Sequence, residues 1–92
     1  MNTHKIKYVS AIAGYMLFLA FENGSLKIYD LTSKLENPIY APLRDPNLFK
    51  NIKLDAGGYG VSWNDEIDLS EHECWENSQE IIKISKLLEE FS

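Results

Sequence analysis

The chain has 92 residues, of which 45% are hydrophobic and 25% charged, and its formal net charge is −5. These values fit one small globular domain and exclude a chain that is disordered throughout. The acidic balance argues against a general nucleic-acid binder, which needs a basic surface. The lone cysteine, Cys74, has no partner for an internal disulfide. The most apolar run, residues 15–21, is too short to cross a bilayer, so we expect a cytoplasmic protein that does not contact a membrane.

The first third of the chain predicts three antiparallel strands. Residues 6–13, 15–22 and 26–31 are rich in β-branched and aromatic side chains. Gly14 separates the first two strands, and the Asn23-Gly24 dipeptide separates the second from the third. Asn-Gly favours a two-residue type I′ turn, because both central residues of that turn need a positive φ. Such a turn would fix the pairing register of the hairpin.

With that register, Phe21 faces Leu26 and Phe18 faces Tyr29. One face of the hairpin then carries the predicted core residues Leu17, Leu19, Phe21, Leu26 and Ile28. The opposite face carries a second apolar patch, made of Met16, Phe18, Tyr29 and Leu31. A one-sided sheet would show polar residues there. Either the chain itself covers this patch or a partner does, and internal cover is favoured because exposed apolar patches are uncommon in monomers.

Short helices and turns are predicted for the middle of the chain. Residues 31–36 have the spacing of one helical turn, which Pro38 ends. Pro42 is expected to keep the following residues extended. Asp45 is suited to cap a second short helix that has Pro46 at its first position, where a missing N–H costs nothing.

The next segment predicts short strands. Residues 52–55 and 60–63 lie on either side of a Gly57-Gly58 turn, and residues 67–69 are extended. We therefore predict an α+β fold with a small antiparallel sheet, short helices and a C-terminal helix.

Two helix caps are predicted near the end of the chain. Ser70 begins a helix, with Glu73 completing a capping box, and Ser78 has the character of a second cap. From residue 79 to residue 91, apolar side chains recur at helical spacing: Ile81, Ile84, Leu88 and Phe91. These observations predict an α+β domain over residues 1–77 and a helical extension over residues 78–92. The extension either docks on its own sheet, enters the groove of a partner or forms a dimer contact.

Several segments together resemble one family. They are Phe21-Glu22-Asn23-Gly24, Tyr29-Asp30-Leu31, Ala41-Pro42-Leu43-Arg44-Asp45-Pro46 with Leu48-Phe49, Val61-Ser62-Trp63 and Asp68-Leu69. Over roughly residues 6–75 the chain resembles the small bacterial domain-of-unknown-function family 2442. The resemblance implies an α+β domain, often encoded beside another small protein in arrangements that look like toxin–antitoxin pairs. Some relatives carry a helix-turn-helix afterwards, but residues 78–92 are too short for a DNA-reading helix pair.

The sequence contains no strong candidate for a metal-binding, nucleophilic or phosphate-binding site. His72 and Glu76 share a helix face at metal-ligand spacing, but a third ligand is missing, so a solvated acidic helix is favoured. The acidic neighbours of Cys74 would raise its pKa, which favours a structural thiol. The glycine-rich residues 57–60 lack a following lysine and are typical of a β-turn rather than a phosphate loop. We expect no catalytic residue, no metal and no cofactor, and hence no enzyme.

Arg44 has two interpretations. It could contact a carboxylate of a partner, or it could tie its loop to the sheet while Asp45 caps the helix. The structural interpretation is favoured, because helix-cap chemistry explains the spacing of this block without a partner.

The function predicted from the sequence is that of a non-catalytic protein-binding accessory, or an antitoxin-like component of a two-gene bacterial module. Its partner would be another small protein, encoded by a neighbouring gene. The predicted contact residues are Met16, Phe18, Tyr29, Arg44, Ile81, Ile84, Leu88 and Phe91. The alternative is a self-associating structural domain that forms a homodimer. A metal-binding protein and a DNA-binding regulator are weaker alternatives.

Overall fold

The structure is a computed structural model, and it describes residues 4–81. The strands are β1 (Ile6–Ile12), β2 (Met16–Phe21), β3 (Leu26–Asp30), β4 (Lys53–Leu54), β5 (Gly60–Ser62), β6 (Asp68–Ser70) and β7 (Gln79–Glu80). The helices are α1 (Pro46–Phe49) and α2 (Glu71–Glu76), with 3-10 helices at Thr32–Glu36, Ala41–Arg44 and Ala56–Gly58. A first sheet has the order β1-β2-β3-β7, and a second has the order β4-β5-β6. All the strand pairs are antiparallel, so the α+β prediction is confirmed.

Two of the predicted helix starts are confirmed by their capping hydrogen bonds, whereas Ser78 precedes a strand and caps no helix within residues 4–81. The Asp45 side chain accepts a hydrogen bond of 2.9 Å from the backbone N–H of Asn47, and α1 begins at Pro46. The Ser70 hydroxyl accepts one of 3.1 Å from the backbone N–H of Glu73 at the start of α2. Each cap satisfies an N–H group that has no partner within its helix.

The predicted register of the β2–β3 hairpin is wrong by one residue. Phe21 donates to the carbonyl of Ser25 at 2.9 Å, and Gly24 donates back to the carbonyl of Phe21 at 3.0 Å, so the loop has three residues. Gly24 has a φ of 92°, whereas Asn23 does not have the positive φ that a type I′ turn requires. A three-residue loop needs a positive φ only at its last position, where glycine is favoured. Tyr29 therefore pairs with Leu17 instead of Phe18.

This shift exchanges the two faces of β3, because side chains alternate along a strand. Tyr29 is buried in the core beside Leu17, while Leu26 is 46% exposed and Ile28 only half-buried. The core lies between the inner face of the first sheet and the elements that follow β3. Its members are Ile6, Leu17, Leu19, Phe21, Tyr29, Leu31, Leu35, Leu43, Phe49, Val61, Trp63, Ile67, Leu69 and Cys74.

Two further local predictions are corrected. Pro42 lies in the first turn of a 3-10 helix and not in an extended segment, because its fixed φ also suits a helix start. Gln79 and Glu80 form β7 beside β3 and are not the start of a helix. The pairing of these two residues with Ile28 and Lys27 supplies backbone hydrogen bonds that outweigh a local helix preference. The proposed division of the chain at residue 77 stays a prediction.

The loop between β1 and β2 is held against the Ala41–Phe49 segment by Tyr15. Its hydroxyl donates to the carbonyl of Arg44, and its ring packs edge-on against Phe49 with centroids 5.2 Å apart. Tyr15 has a φ of 59°, which is uncommon outside glycine. The strain of this conformation is offset by the contacts that the ring and the hydroxyl make.

Lys27 is a buried cation on the inner face of the first sheet. Its ammonium group donates to the carbonyl of Trp75 at 2.6 Å and lies 4.1 Å from the centre of the Trp75 ring. The Trp75 carbonyl belongs to the last turn of α2, where unpaired carbonyls favour a positive charge. Lys27 therefore joins β3 to the end of α2.

Candidate interaction surface

One apolar surface of the described residues lies outside the core. It is the side of the first sheet that faces away from the core, and we call it the outer face. Its members are Tyr8, Ser10, Ile12, Met16, Phe18, Ala20, Leu26 and Ile28, and the exposed Asp30 lies opposite Met16 at its edge. The observed register explains this set, since residues directly opposite each other on paired strands point to the same side.

The outer face is exposed at its margins. Tyr8 is 54% exposed, Leu26 is 46% and Ile12 is 38%, while Met16 and Phe18 are half-buried between them. None of the eight members belongs to the hydrophobic core or to the side chains packed against it. The Tyr8 ring instead packs edge-on against Phe18 within the face, with centroids 6.1 Å apart. A continuous apolar sheet face of this kind marks a contact surface more often than it marks plain solvent exposure.

A cleft of about 390 Å³ adjoins one end of the outer face. It is lined by Ala11, Ile12, Ala13, Gly14, Tyr15, Pro46, Phe49 and Lys50. Ile12 belongs to both the cleft and the outer face. The lining is apolar apart from Lys50 and the tyrosine hydroxyl, so the cleft suits an apolar side chain and carries no reactive group.

The structure separates the residues that the sequence placed on one patch. Met16 and Phe18 do lie on the outer face, whereas Tyr29 and Leu31 are buried on the opposite side. The sequence pattern did not indicate that Tyr8, Ile12 and Leu26 lie on this surface. The alternative three-residue loop at Asn23-Gly24 is the signal that would have placed Leu26 on this face.

Arg44 is exposed, but its guanidinium group has a partner within the chain. Its Nε and Nη2 atoms donate to the carbonyl of Leu35 at 3.3 and 3.2 Å. The arginine thus links the Ala41–Arg44 helix to the preceding 3-10 helix. The contact is structural, but it joins the loop to a 3-10 helix and not to the sheet as expected from the sequence. A role in partner binding stays a prediction.

Of the predicted C-terminal contact residues, Ile81 is half-buried at the end of the described chain. Ile84, Leu88 and Phe91 lie outside the described residues.

The candidate chemical residues show no reactive arrangement. Cys74 is fully buried, and burial, with a smaller contribution from Glu73, raises the pKa of its thiol to about 12. The thiol is therefore protonated at neutral pH and is a poor nucleophile. His72 and Glu76 are both exposed on α2. Between residues 4 and 81, no group of three or more His, Cys, Asp or Glu side chains is placed to hold a metal ion.

The polar cluster nearest the core joins Tyr29 to α2. The Tyr29 hydroxyl donates to a carboxylate oxygen of Glu73 at 2.7 Å, and the Lys34 ammonium lies 3.5 Å from the same oxygen. The hydrogen bond from Tyr29 and the charge of Lys34 hold the pKa of Glu73 below its usual value, although burial opposes this. Burial, followed by the bond to Glu73, raises the pKa of Tyr29. The cluster fixes α2 on the sheet.

Replacing Tyr29 with phenylalanine is expected to lower the free energy of unfolding by about 1.5–3 kcal/mol at neutral pH, the range for a hydrogen bond to a charged group. Since the folded pKa of Glu73 is lowered, its contribution is present above the unfolded pKa of about 4.3 and is lost as the pH falls. The raised pKa of Tyr29 likewise contributes stability that is lost above about pH 10. Urea unfolding at neutral pH, below about pH 4 and above about pH 10 checks both effects.

The matched control for this prediction is Tyr59→Phe, because Tyr59 is 54% exposed. The control is expected to unfold like the wild type at every pH. A Tyr29→Phe variant that keeps the full acid and alkaline loss of stability would show that this pair does not govern the pH dependence.

Comparisons with known proteins give a family and one solved structure. The model of the family described as "Protein of unknown function (DUF2442)" matches residues 6–80. A crystal structure of a protein from Nitrosomonas europaea, described as a "Putative DNA Binding Protein", is similar, with a TM-score of 0.61 and 28% sequence identity. The similarity covers 72% of this chain but only 45% of that protein. No curated protein matches the chain.

No helix of residues 4–81 is both long and apolar enough to cross a membrane.

Proposed function

The chain belongs to the DUF2442 family of proteins of unknown function, and from this premise we propose that it is a non-catalytic domain that binds another protein through its outer face. The apolar character of that face carries the proposal. Side chains such as Tyr8, Phe18 and Leu26 would gain about 25 cal/mol for each Å² that a partner removes from water. Aromatic residues at the centre of such a patch are the usual anchors of protein interfaces.

The chemistry of the remaining surface supports a protein partner over a reaction. The buried thiol of Cys74 and the exposed pair His72 and Glu76 form no nucleophile–base or metal arrangement. The cleft next to Ile12 is apolar and suits a side chain of the partner. These features favour binding by shape and apolar contact.

The partner in this proposal is another small protein encoded by a neighbouring gene. The two would form a two-gene bacterial module that acts in the cytoplasm, with this chain as its accessory or antitoxin-like component. The net charge of −5 would favour a basic partner, whose approach the field of this chain would accelerate.

Co-expression of the chain with the product of the adjacent gene tests this proposal, with gel filtration to detect a joint complex. Phe18→Asp is expected to abolish the complex, because it places a charge in the middle of the outer face. Ile39→Asp is the matched control, since Ile39 is 59% exposed but lies outside the first sheet. The control should keep the complex.

Two results would contradict the proposal. One is the absence of any complex with the neighbouring protein when both are abundant. The other is equal binding by the Phe18→Asp and Ile39→Asp variants, which would place the contact elsewhere. A homodimer that Phe18→Asp dissociates would favour self-association instead.

DNA binding is a second candidate, which the similarity to the Nitrosomonas europaea protein favours. The net charge of −5 argues against it, although Lys7, Lys50 and Lys53 are exposed. Fluorescence anisotropy with duplex DNA distinguishes the two. Affinity that falls steeply with added salt would indicate phosphate contacts.

A further inference from the structure

The described chain ends beside the outer face. Gln79 is directly opposite Ile28, and Glu80 is directly opposite Lys27. Since opposite residues share a side, Gln79 lies at the border of the outer face and Glu80 lies on the inner side. Strand β7 ends at Glu80, and the backbone of Ile81, the last described residue, is helical. The chain therefore leaves the fold at the edge of the apolar surface.

Eleven residues follow this point, and their sequence is amphipathic. Together with Ile81, the side chains of Ile84, Leu88 and Phe91 recur at helical spacing. The opposite side of such a helix would carry charged residues, among them Lys86. A helix this short is marginal in water unless its apolar side is packed against something.

The length of the predicted helix matches the width of the first sheet. A helix from residue 81 to residue 92 would be about 18 Å long at 1.5 Å per residue. The four strands of the first sheet span about 14 Å from β7 to β1 at the usual spacing of neighbouring strands. The helix is thus long enough to reach from the edge at β7 across Ile28 and Phe18 to Tyr8.

We propose that the outer face is a docking site for an amphipathic helix, and that in the free chain this helix is the chain's own residues 82–92. Both the outer face and the apolar side of the predicted helix would be exposed to water unless they pack against something. Because the chain leaves the fold at β7, the two surfaces are close to each other. The inference itself does not depend on the proposed function; only its consequence for partner binding does. A protein partner that uses the outer face would have to compete with this segment.

Methyl NMR spectra of the full chain test the inference without any partner. Leu88→Ser weakens the apolar stripe and is expected to shift the methyl signals of Ile12, Met16 and Ile28, and to raise binding of a hydrophobic dye severalfold. Lys86→Ser is the matched control, because Lys86 falls on the opposite side of the predicted helix. It is expected to leave both readouts unchanged. The wild-type signals should not change on dilution.

Unshifted outer-face methyl signals in the Leu88→Ser variant would overturn the inference. Wild-type signals that change on dilution, with a dimeric mass by light scattering, would also overturn it, since a second copy would then be the cover. Neither result would decide whether the outer face binds a partner, because the partner is absent from the measurement. The co-expression experiment with Phe18→Asp tests that separately.

Discussion

Replacing Trp63 with alanine is expected to lower the free energy of unfolding by about 3–5 kcal/mol, a large part of the stability of so small a domain. Trp63 is 6% exposed, and its ring stacks on Phe49 with centroids 6.2 Å apart. Its indole N–H donates to the Phe49 carbonyl at 3.0 Å. The side chain thus joins the end of the second sheet to α1, and its loss would leave a cavity and an unpaired buried carbonyl.

Trp63→Phe separates these two effects, because it keeps a ring and removes the N–H. It is expected to cost about 1–3 kcal/mol, the range for a buried group left without its partner. Urea unfolding followed by circular dichroism is the suitable measurement, since it does not depend on the tryptophan that is removed. Tyr59→Ala removes an exposed aromatic ring and serves as the control. A cost for Trp63→Ala no larger than that of this control would show that Trp63 does not hold the two parts together.

Replacing Gly58 with alanine is expected to cost about 2–5 kcal/mol, from two sources. Gly58 has a φ of 78°, a conformation that costs other residues about 1–2 kcal/mol. A Cβ atom at this position would also collide with the carbonyl oxygen of Ile6 and lie 3.2 Å from its nitrogen. These are backbone atoms of β1, so the clash is relieved only by moving the second sheet away from the first. Forcing extra atoms into such a contact costs about 1–3 kcal/mol more.

Gly57→Ala is the matched variant for this prediction. Gly57 has the same φ of 78°, but its added Cβ would meet the ring of Tyr59 at 2.7 Å. This ring is exposed and free to rotate away, so only the conformational cost remains. We expect the midpoint of urea unfolding to fall further for Gly58→Ala than for Gly57→Ala. Equal midpoints would mean that the contact with Ile6 adds no cost.

Much of the fold could be predicted from local sequence signals. The capping residues Asp45 and Ser70 determine where α1 and α2 begin, and their chemistry is visible in the sequence. The glycine and asparagine positions likewise predicted the turns between the strands. Such features depend on neighbouring residues alone, which explains why they were predicted to within one or two positions.

The register of the hairpin could not be predicted in the same way. Asn23-Gly24 is compatible with loops of two or three residues, and these differ by one position in pairing. The choice depends on which face of β3 is buried. Burial of Tyr29 against Glu73 and of Lys27 against Trp75 needs α2, which lies more than forty residues further along the chain. That information is tertiary and absent from the hairpin itself.

The residues of the outer face could be predicted from the sequence only in part, for the same reason. Met16 and Phe18 were placed correctly on the face opposite Leu17 and Leu19, because β2 precedes the turn and its alternation is unaffected by the error. Tyr29 was placed on the wrong side because it follows the turn. Tyr8 was missed because no pairing partner for β1 was predicted.

The pairing of β3 with β7 has a consequence for how the protein is made. Glu80 on β7 lies 53 positions (80 − 27) after its partner Lys27, and this interval contains the whole second sheet and α2. Closing so long a loop is slow and entropically costly. During synthesis, the first sheet stays incomplete until the ribosome has released residue 80. Until then the nascent chain carries an unpaired edge at β3, which is where a chaperone or a second unfinished copy would attach.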